Sequence, residues 1–305
     1  MDSLAHLQVT DHLTTVGDWV RWAASRFNHA ELFFGHGTEN AWDEAVNLVL
    51  ASLHLLPDTP KKVFHAKLLP EEKLKIFNLI QERINTRKPL AYLLKQAWFC
   101  HQPFYVDQRV LIPRSPVAEW LEKQFVPWVE PETVQHILDI GTGSGCIAIA
   151  AAWFFPHAQV DAVDISQGAL EVAAINVAKY RLQDRVQLLL SDCFNQLPPK
   201  KYDIIISNPP YVADFEYNSL PVEYSHEPKN ALLAGDDGLD VVRKILIDAG
   251  RYLSPGGILV LEVGNTDETF VEKFQDLPCT WLELERGGQG IMLITAEGLS
   301  RLFSN

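Results

Sequence analysis

Much that would point to cross-linking, metal or membrane chemistry is missing from this chain of 305 residues. Its cysteines, Cys100, Cys146, Cys193 and Cys279, lie too far apart for a zinc pattern or a disulfide framework and read as buried free thiols. No metal site is expected. No apolar run is long enough to span a bilayer, and Met1 to Thr15 carries acids without the apolar stretch of a signal peptide. A cytoplasmic protein with no membrane role follows. Positive charge is also scarce, with 26 Lys and Arg against 39 Asp and Glu and a net charge of −13. The shortage is uneven: residues 1–88 hold 10 basic and 11 acidic residues, whereas 89–305 hold 16 and 28. An acidic surface repels nucleic-acid phosphates and attracts basic partners, so direct DNA binding is not expected.

Residues 1–88 contain no nucleophile, ligand cluster or glycine loop. Apolar residues at helical spacing predict helices over 16–33 (Val16, Trp19, Val20, Ala23, Phe27) and 40–56 (Trp42, Val46, Val49, Leu50, Leu53). Pro70 followed by Glu71 and Glu72 starts a third, reaching about Asn85, because proline fits the first helical position and acids suit the N-terminal dipole. This part reads as a small helical domain for substrate recognition. Residues 89–115 change character. Trp98–Phe99, Phe104–Val106 and Val110–Ile112 suggest short strands in a hairpin linking two domains, and Ser115 with Pro116 reads as a helix cap.

From residue 116 to 305 strand and helix patterns alternate, which predicts a doubly wound α/β sheet of the Rossmann-like kind. Strands are expected over 136–140, 159–163, 186–190, 202–207 and 257–263, and helices over 146–155, 167–180 and 240–253. Segments 280–284 and 291–294, around Gly287-Gly288, suggest a closing antiparallel hairpin.

Three features fall at the carboxyl ends of three successive strands, where such sheets bind ligands. Asp139-Ile140-Gly141-Thr142-Gly143-Ser144-Gly145 is a loop whose glycines permit a tight turn and close approach to a ligand. Asp164 suits a ribose diol, and Asp192 can accept from an adenine amino group with Cys193 against the ring. Together they indicate an adenosine cofactor. The third glycine of a dinucleotide fingerprint is missing, with Ala148 or Ile147 in its place, which tilts away from NAD and leaves the choice between NAD and S-adenosylmethionine to the next segment.

The most informative segment is Asn208-Pro209-Pro210-Tyr211, directly after the apolar run 202–207. The Asn208 side-chain oxygen and the Pro209 carbonyl can each accept one hydrogen of a planar NH2 group, and Tyr211 can lie against its face. An amide nitrogen is a poor nucleophile because its lone pair is delocalised. Two such hydrogen bonds would orient it and stabilise the positive charge that grows during methyl transfer. Asn208, Pro209 and Tyr211 are the candidate catalytic residues. Asp203 and Glu262 are candidate supporting acids, and His226 reads as a loop residue packed over the cofactor or substrate.

These residues, with Glu227-Pro228, Ala231-Leu232, Gly238-Leu239 and the Gly287–Ile291 turn, resemble the protein glutamine-N5 methyltransferases over nearly the whole chain. The resemblance implies S-adenosylmethionine over Asp139, Gly141, Thr142, Gly143 and Gly145. It also implies that a glutamine amide binds at Asn208, Pro209, Pro210 and Tyr211. Release-factor enzymes of the family typically read Ile-Pro-Arg-Pro-Asp-Thr-Glu after the hairpin; here Ile112-Pro113-Arg114-Ser115-Pro116-Val117-Ala118-Glu119 resembles instead the branch acting on large-subunit ribosomal protein three. That substrate is a basic protein, which the acidic part would suit. Arg114 would steer the substrate backbone or cap a carbonyl. Alternatives to weigh are release-factor methylation, adenine-N6 methylation of nucleic acid, which needs a basic groove, and a non-catalytic binding module.

Overall fold

In a computed structural model the structure describes residues 11–302. The chain divides into two compact units, residues 1–96 with 221–226, and residues 97–220 with 227–305. The helical unit thus extends past the expected boundary at 88 and takes in a short segment from far along the sequence.

The helical unit holds α1 (Val16–His29), α2 (Ala41–Ser52), α3 (Pro70–Thr86) and α4 (Leu90–Leu94). Thr15 and Asp18 form a reciprocal cap at the start of α1. The apolar stripes meet in a core of Trp19, Val20, Phe27, Leu48, Val49, Ile76 and Ile80. Arg83 is buried in this unit and fully engaged: its guanidinium donates to Glu44 Oε1 at 2.6 Å, Phe33 O at 3.0 Å and Arg87 O at 3.0 Å. Glu223, in segment 221–226, accepts from the Phe33 N–H and the Arg87 Nε, both at 3.0 Å. Burial pushes the Glu223 carboxyl up, but these donors more than offset it and hold it below the usual range.

The second unit begins with the hairpin β1 (Ala97–Phe99) and β2 (Gln102–Phe104), then α5 (Val117–Glu122). No strand forms at 110–112; the segment 105–116 is loop. The main sheet holds β3 (His136–Ile140), β4 (Gln159–Asp164), β5 (Val186–Leu190), β6 (Tyr202–Ser207), β7 (Leu253–Glu262), β8 (Thr280–Trp281) and β9 (Ile291–Thr295), in spatial order β5-β4-β3-β6-β7-β9-β8. The first five are parallel; β9 pairs antiparallel with β7 and with β8. Between them run α6 (Cys146–Phe154), α7 (Gln167–Lys179), the short α8 (Asp214–Tyr217), α9 (Asp240–Tyr252) and α10 (Asp267–Lys273), and α11 (Ala296–Leu302) closes the described chain.

Both faces of the central strands are covered, which is why they read as unbroken apolar runs rather than alternating ones. Ile137, Ile204, Ile206, Ile258 and Val260 face one core with α5 and α6, while Leu138, Ile140, Ile205, Leu259 and Leu261 face the other with α9 and Phe270. Phe99 and Phe104 of the hairpin belong to the first of these cores, Phe104 lying 6.0 Å from Trp153 and 5.4 Å from Tyr180. The strand order reverses at β3, whose neighbours are β4 and β6. Ile140 pairs with Ser207, whose hydroxyl donates to Ile140 O at 2.8 Å. The loops leaving β3 and β6 therefore start side by side, at a topological switch point.

Candidate functional site

The cavity at these strand ends encloses about 250 Å3 and is lined by residues including Gly141, Gly143, Asp164, Asp192, Cys193, Asn208, Pro209 and Pro210. The fold thus brings most of the expected residues to one place. Asp139, Thr142, Gly145, Tyr211 and Arg114 are not among its lining residues, and each has another task.

Asp139, at the end of β3, is fully buried. Its Oδ2 accepts from Thr142 Oγ1 at 2.6 Å and from the Ala148 N–H at 3.1 Å, whereas Oδ1 finds no hydrogen-bond partner among the described residues. Gly145, the N-cap of α6, has no side chain to satisfy the first turn, so the strand's own carboxylate supplies that acceptor. Burial pushes Asp139 up to about 7. Gly145 has φ +79°, and a Cβ there would fall 3.2 Å from Ala173 Cβ, so its glycine serves packing against α7. Gly141 and Gly143 also have positive φ, but Cβ atoms there would meet nothing closer than 3.9 Å and 4.0 Å: these glycines front open space.

Asp164 keeps its place at the rim by accepting from the Gly143 N–H and the Ser166 N–H, both at 2.9 Å. Burial raises it, with those two N–H groups opposing. It therefore braces the glycine loop while facing the cavity. Asp192 is paired with Lys244 of α9 at 3.0 Å, a partner the sequence did not suggest. Cys193 sits in a left-handed conformation, φ +49°, with its thiol pushed up to about 12 by burial, so it offers a neutral apolar surface. The expected strand at 110–112 is instead a lining loop, with Arg109, Val110 and Leu111 against the cavity. Arg109 is fixed there by Asp107 at 2.7 Å and Glu171 at 2.8 Å.

Arg114 does not reach the cavity lining. Its guanidinium grips Glu227 through both terminal nitrogens, at 2.6 and 2.7 Å, and Glu227 also accepts from the Ile112 N–H at 3.0 Å. Glu227 is 3% exposed, so the pair is a buried clamp between the loop 105–116 and the segment that follows β6. His226 is not among the residues that line this cavity. It belongs to the helical unit, with Nε2 2.9 Å from Thr86 O. Asp203 is structural: its Oδ2 accepts from the backbone N–H groups of Gln135 and His136.

Tyr211 stands behind Pro210 on a floor of glycines. A Cβ at Gly264 would fall 2.5 Å from the Tyr211 ring, one at Gly238 would fall 2.4 Å from Tyr211 O, and one at Gly290 would fall 2.1 Å from Gly264 O. The Tyr211 hydroxyl is 3.5 Å from Glu262 Oε1, and Glu262 Oε2 accepts from Ser115 Oγ. Ser115 is thus not the expected N-cap, a place that falls to Pro116 because α5 starts one residue later at Val117, although its Oγ accepts from the Val117 N–H at 3.2 Å. Glu262 is 4% exposed, and burial pushes it up to about 7 against the opposing effects of Ser115, Arg114 and Tyr211.

A more open cavity of about 550 Å3, lined by residues that include Phe194, Lys200, Lys201 and Arg251, lies at the amino-end side of β6. Its cations are committed, Lys200 to Asp161, Lys201 to Arg251 O and Arg251 to Asp248. Among the described residues no three His, Cys, Asp or Glu cluster as a metal site, and no helix is long and apolar enough to cross a membrane.

A family model described as the methyltransferase small domain matches residues 122–223, which takes in the glycine loop, Asp164, Asp192 and Asn208 to Tyr211. The ribosomal protein uL3 glutamine methyltransferase of Bordetella pertussis is 50% identical over 289 residues, covering 94% of this chain and 97% of the relative. That of Francisella tularensis is 44% identical over 292 residues, covering 95% and 93%. Among solved structures, a methyltransferase from Pyrococcus furiosus aligns with TM-score 0.46 and 18% identity over 63% of this chain and 88% of its own. A T. thermophilus 16S rRNA N2 G1207 methyltransferase in complex with AdoMet and guanosine aligns with TM-score 0.46 and 19% identity, over 66% and 49%.

Proposed function

The chain belongs to the ribosomal protein uL3 glutamine methyltransferase family, and on that premise we propose that it moves the methyl group of S-adenosylmethionine to the side-chain amide nitrogen of a glutamine in ribosomal protein uL3. The observation that carries this reading is the sharing of one cavity by Gly141, Gly143 and Asp164 on one side and Asn208, Pro209 and Pro210 on the other. The residues fit the cofactor. Two glycines with open space before them admit it closely, Asp164 keeps acceptor capacity for a ribose diol, Cys193 offers a flat apolar contact and Asp192 an acceptor. Asp139, Thr142 and Gly145 support it by shaping the loop.

When bound, S-adenosylmethionine supplies an electrophilic methyl group on a sulfonium that is its own leaving group, so no metal or covalent nucleophile is needed. The protein's task is orientation. Asn208 Oδ1 and Pro209 O take the two amide hydrogens, aim the nitrogen lone pair into the cavity and stabilise the charge that grows on nitrogen, and Tyr211 covers the face of the amide. The methylated nitrogen then releases one proton to water. Arg114 contributes by clamping Glu227, which holds the segment after Pro210 in place. The helical unit would bind the rest of the protein substrate, and the acidic surface would draw in a basic ribosomal protein in the cytoplasm, where neither DNA nor membrane is a partner.

Transfer of labelled methyl from S-adenosylmethionine tests this, with purified uL3, a peptide-chain release factor and adenine-containing DNA as acceptors. Mass spectrometry should place one methyl group on a uL3 glutamine. Label on the release factor alone would move the enzyme to another protein substrate, and label on DNA alone would overturn the substrate class.

A further inference from the structure

Glu262 is a buried carboxyl that the reaction outlined above leaves without a use. It ends β7, next to β6 whose end carries the acceptor motif. Burying a carboxyl is costly unless it is well bonded, and here Glu262 accepts from two hydroxyl groups drawn from distant parts of the chain, Ser115 and Tyr211. The nearby cation, Arg114, spends its fork on Glu227 and acts on Glu262 only through space. Nothing in strand pairing requires an acid at this position. Moreover, Gly264 lies directly against the ring of the same tyrosine, with Gly290 packed on the Gly264 backbone behind it, so two independent features, one polar and one steric, converge on Tyr211.

We propose that Glu262, held by Ser115, is the positioning residue of the acceptor site: its carboxyl anchors the Tyr211 hydroxyl and thereby fixes the Tyr211 ring against the target amide. This rests on the reading of Tyr211 as part of that site. Facing the carboxyl are Arg114 and Ser115 from the loop before α5 and Tyr211 from the segment after β6, and the charge of Arg114 is balanced by Glu227. The ionised carboxylate accepts from the phenol more strongly than the neutral acid does. Tyr211 is therefore held best once Glu262 has lost its proton, and burial sets that change near neutrality.

The test is methylation of purified uL3 by the full-length enzyme, with kcat and KM followed across pH 5.5 to 9, and S-adenosylmethionine affinity measured separately by calorimetry. In the wild type kcat should rise through neutrality to a plateau. E262Q should lose that rise and run about 3- to 10-fold below the plateau, the loss of one hydrogen bond to a charged group, with cofactor affinity unchanged. Y211F removes the same bond from the other side, and the double variant E262Q/Y211F should be no slower than the worse single one. A rise that survives in E262Q, or losses that multiply in the double variant, would overturn the proposal. N208A separates the two readings: if it methylates uL3 at the wild-type rate the acceptor site itself is wrong, whereas an inactive N208A beside a wild-type-like E262Q defeats only the role of Glu262. Should E262Q fail to fold, S115A and Y211F give the same pH comparison.

Discussion

Asp139 and Glu262 lie near the carboxyl ends of β3 and β7, the two strands that flank β6, and share their physical state, buried and pushed up to about 7, yet they are held in opposite ways. Asp139 bonds within ten residues of itself, to Thr142 and Ala148, and knits a strand, a glycine loop and a helix start into one local unit. Glu262 bonds Ser115 and Tyr211, which only the complete fold brings near. The first acid ties the loop of the proposed cofactor side to the strand before it and the helix after it. The second ties the acceptor side to the loop that precedes α5. The cofactor end is thus built from consecutive residues, and the acceptor end from four separated segments, those carrying Ser115, Asn208 to Tyr211, Glu262 to Gly264, and Gly290.

The contrast breaks most sharply at Asp139. Replacing it with alanine strands the Ala148 N–H and the Thr142 hydroxyl in a buried site, which should cost about 2–4 kcal/mol of stability. Since the same bonds shape the loop, S-adenosylmethionine affinity should fall with it. Denaturant unfolding and calorimetry on D139A check this. A stable D139A with full cofactor affinity would mean that the loop holds its shape through glycine geometry alone.

The sheet and the local end of the site were legible because their signals are local. Unbroken apolar strands, Gly141 and Gly143, Asp164 after β4 and Asn208 after β6 all lie where periodicity and strand-end logic put them. What stayed hidden is what the fold assembles from afar. Arg114 reads as steering the substrate backbone or capping a carbonyl; it does donate to Ile112 O at 3.3 Å, but its main partner is Glu227, and no pattern in the sequence links the two. Lys244 sits mid-helix, and only the α9 packing turns it towards Asp192. Loop 110–112 has strand composition, but it is spent lining the cavity instead of pairing. Gly238, Gly264 and Gly290 could have been read as close approaches; what approaches them, the Tyr211 backbone at Gly238, the Tyr211 ring at Gly264 and the Gly264 backbone at Gly290, could not. His226 reads as a loop residue packed over the cofactor or substrate, and nothing in the sequence shows that it belongs to the helical unit, the chain passing to the sheet unit between it and Glu227.

The comparison also predicts a pH signature. Asp139 and Glu262 both bind protons more tightly when folded than when unfolded, their ordinary values being 3.8 and 4.5 against about 7 in the fold. The folded state therefore holds more protons through that window, and the stability these two groups contribute is lost as pH rises from about 4 to 7, then stays level. D139N and E262Q should each flatten that loss by about 3 kcal/mol between pH 4.5 and 8, measured as the difference in unfolding free energy at the two pH values. Asp164, raised in the same direction, leaves a smaller residual slope when both are replaced. If only D139N flattens the curve, Glu262 is ionised in the folded protein well below neutrality.

The smallest effect separates the local from the assembled arrangement. Thr142→Ala removes a single hydroxyl bond to Asp139 and leaves the Ala148 bond, so it should cost about 1 kcal/mol. Ser115→Ala removes a single hydroxyl bond to Glu262 and should cost a similar amount. Their functional consequences should differ. With Thr142 gone the loss falls on cofactor affinity and the kcat profile keeps its rise through neutrality. With Ser115 gone cofactor affinity holds and the rise shifts to higher pH, because the carboxylate has lost a donor that favours its charged form. Equal effects of the two variants on both readouts would mean that the two ends of the cavity form one coupled unit, and the division between a locally built cofactor side and an assembled acceptor side would fall.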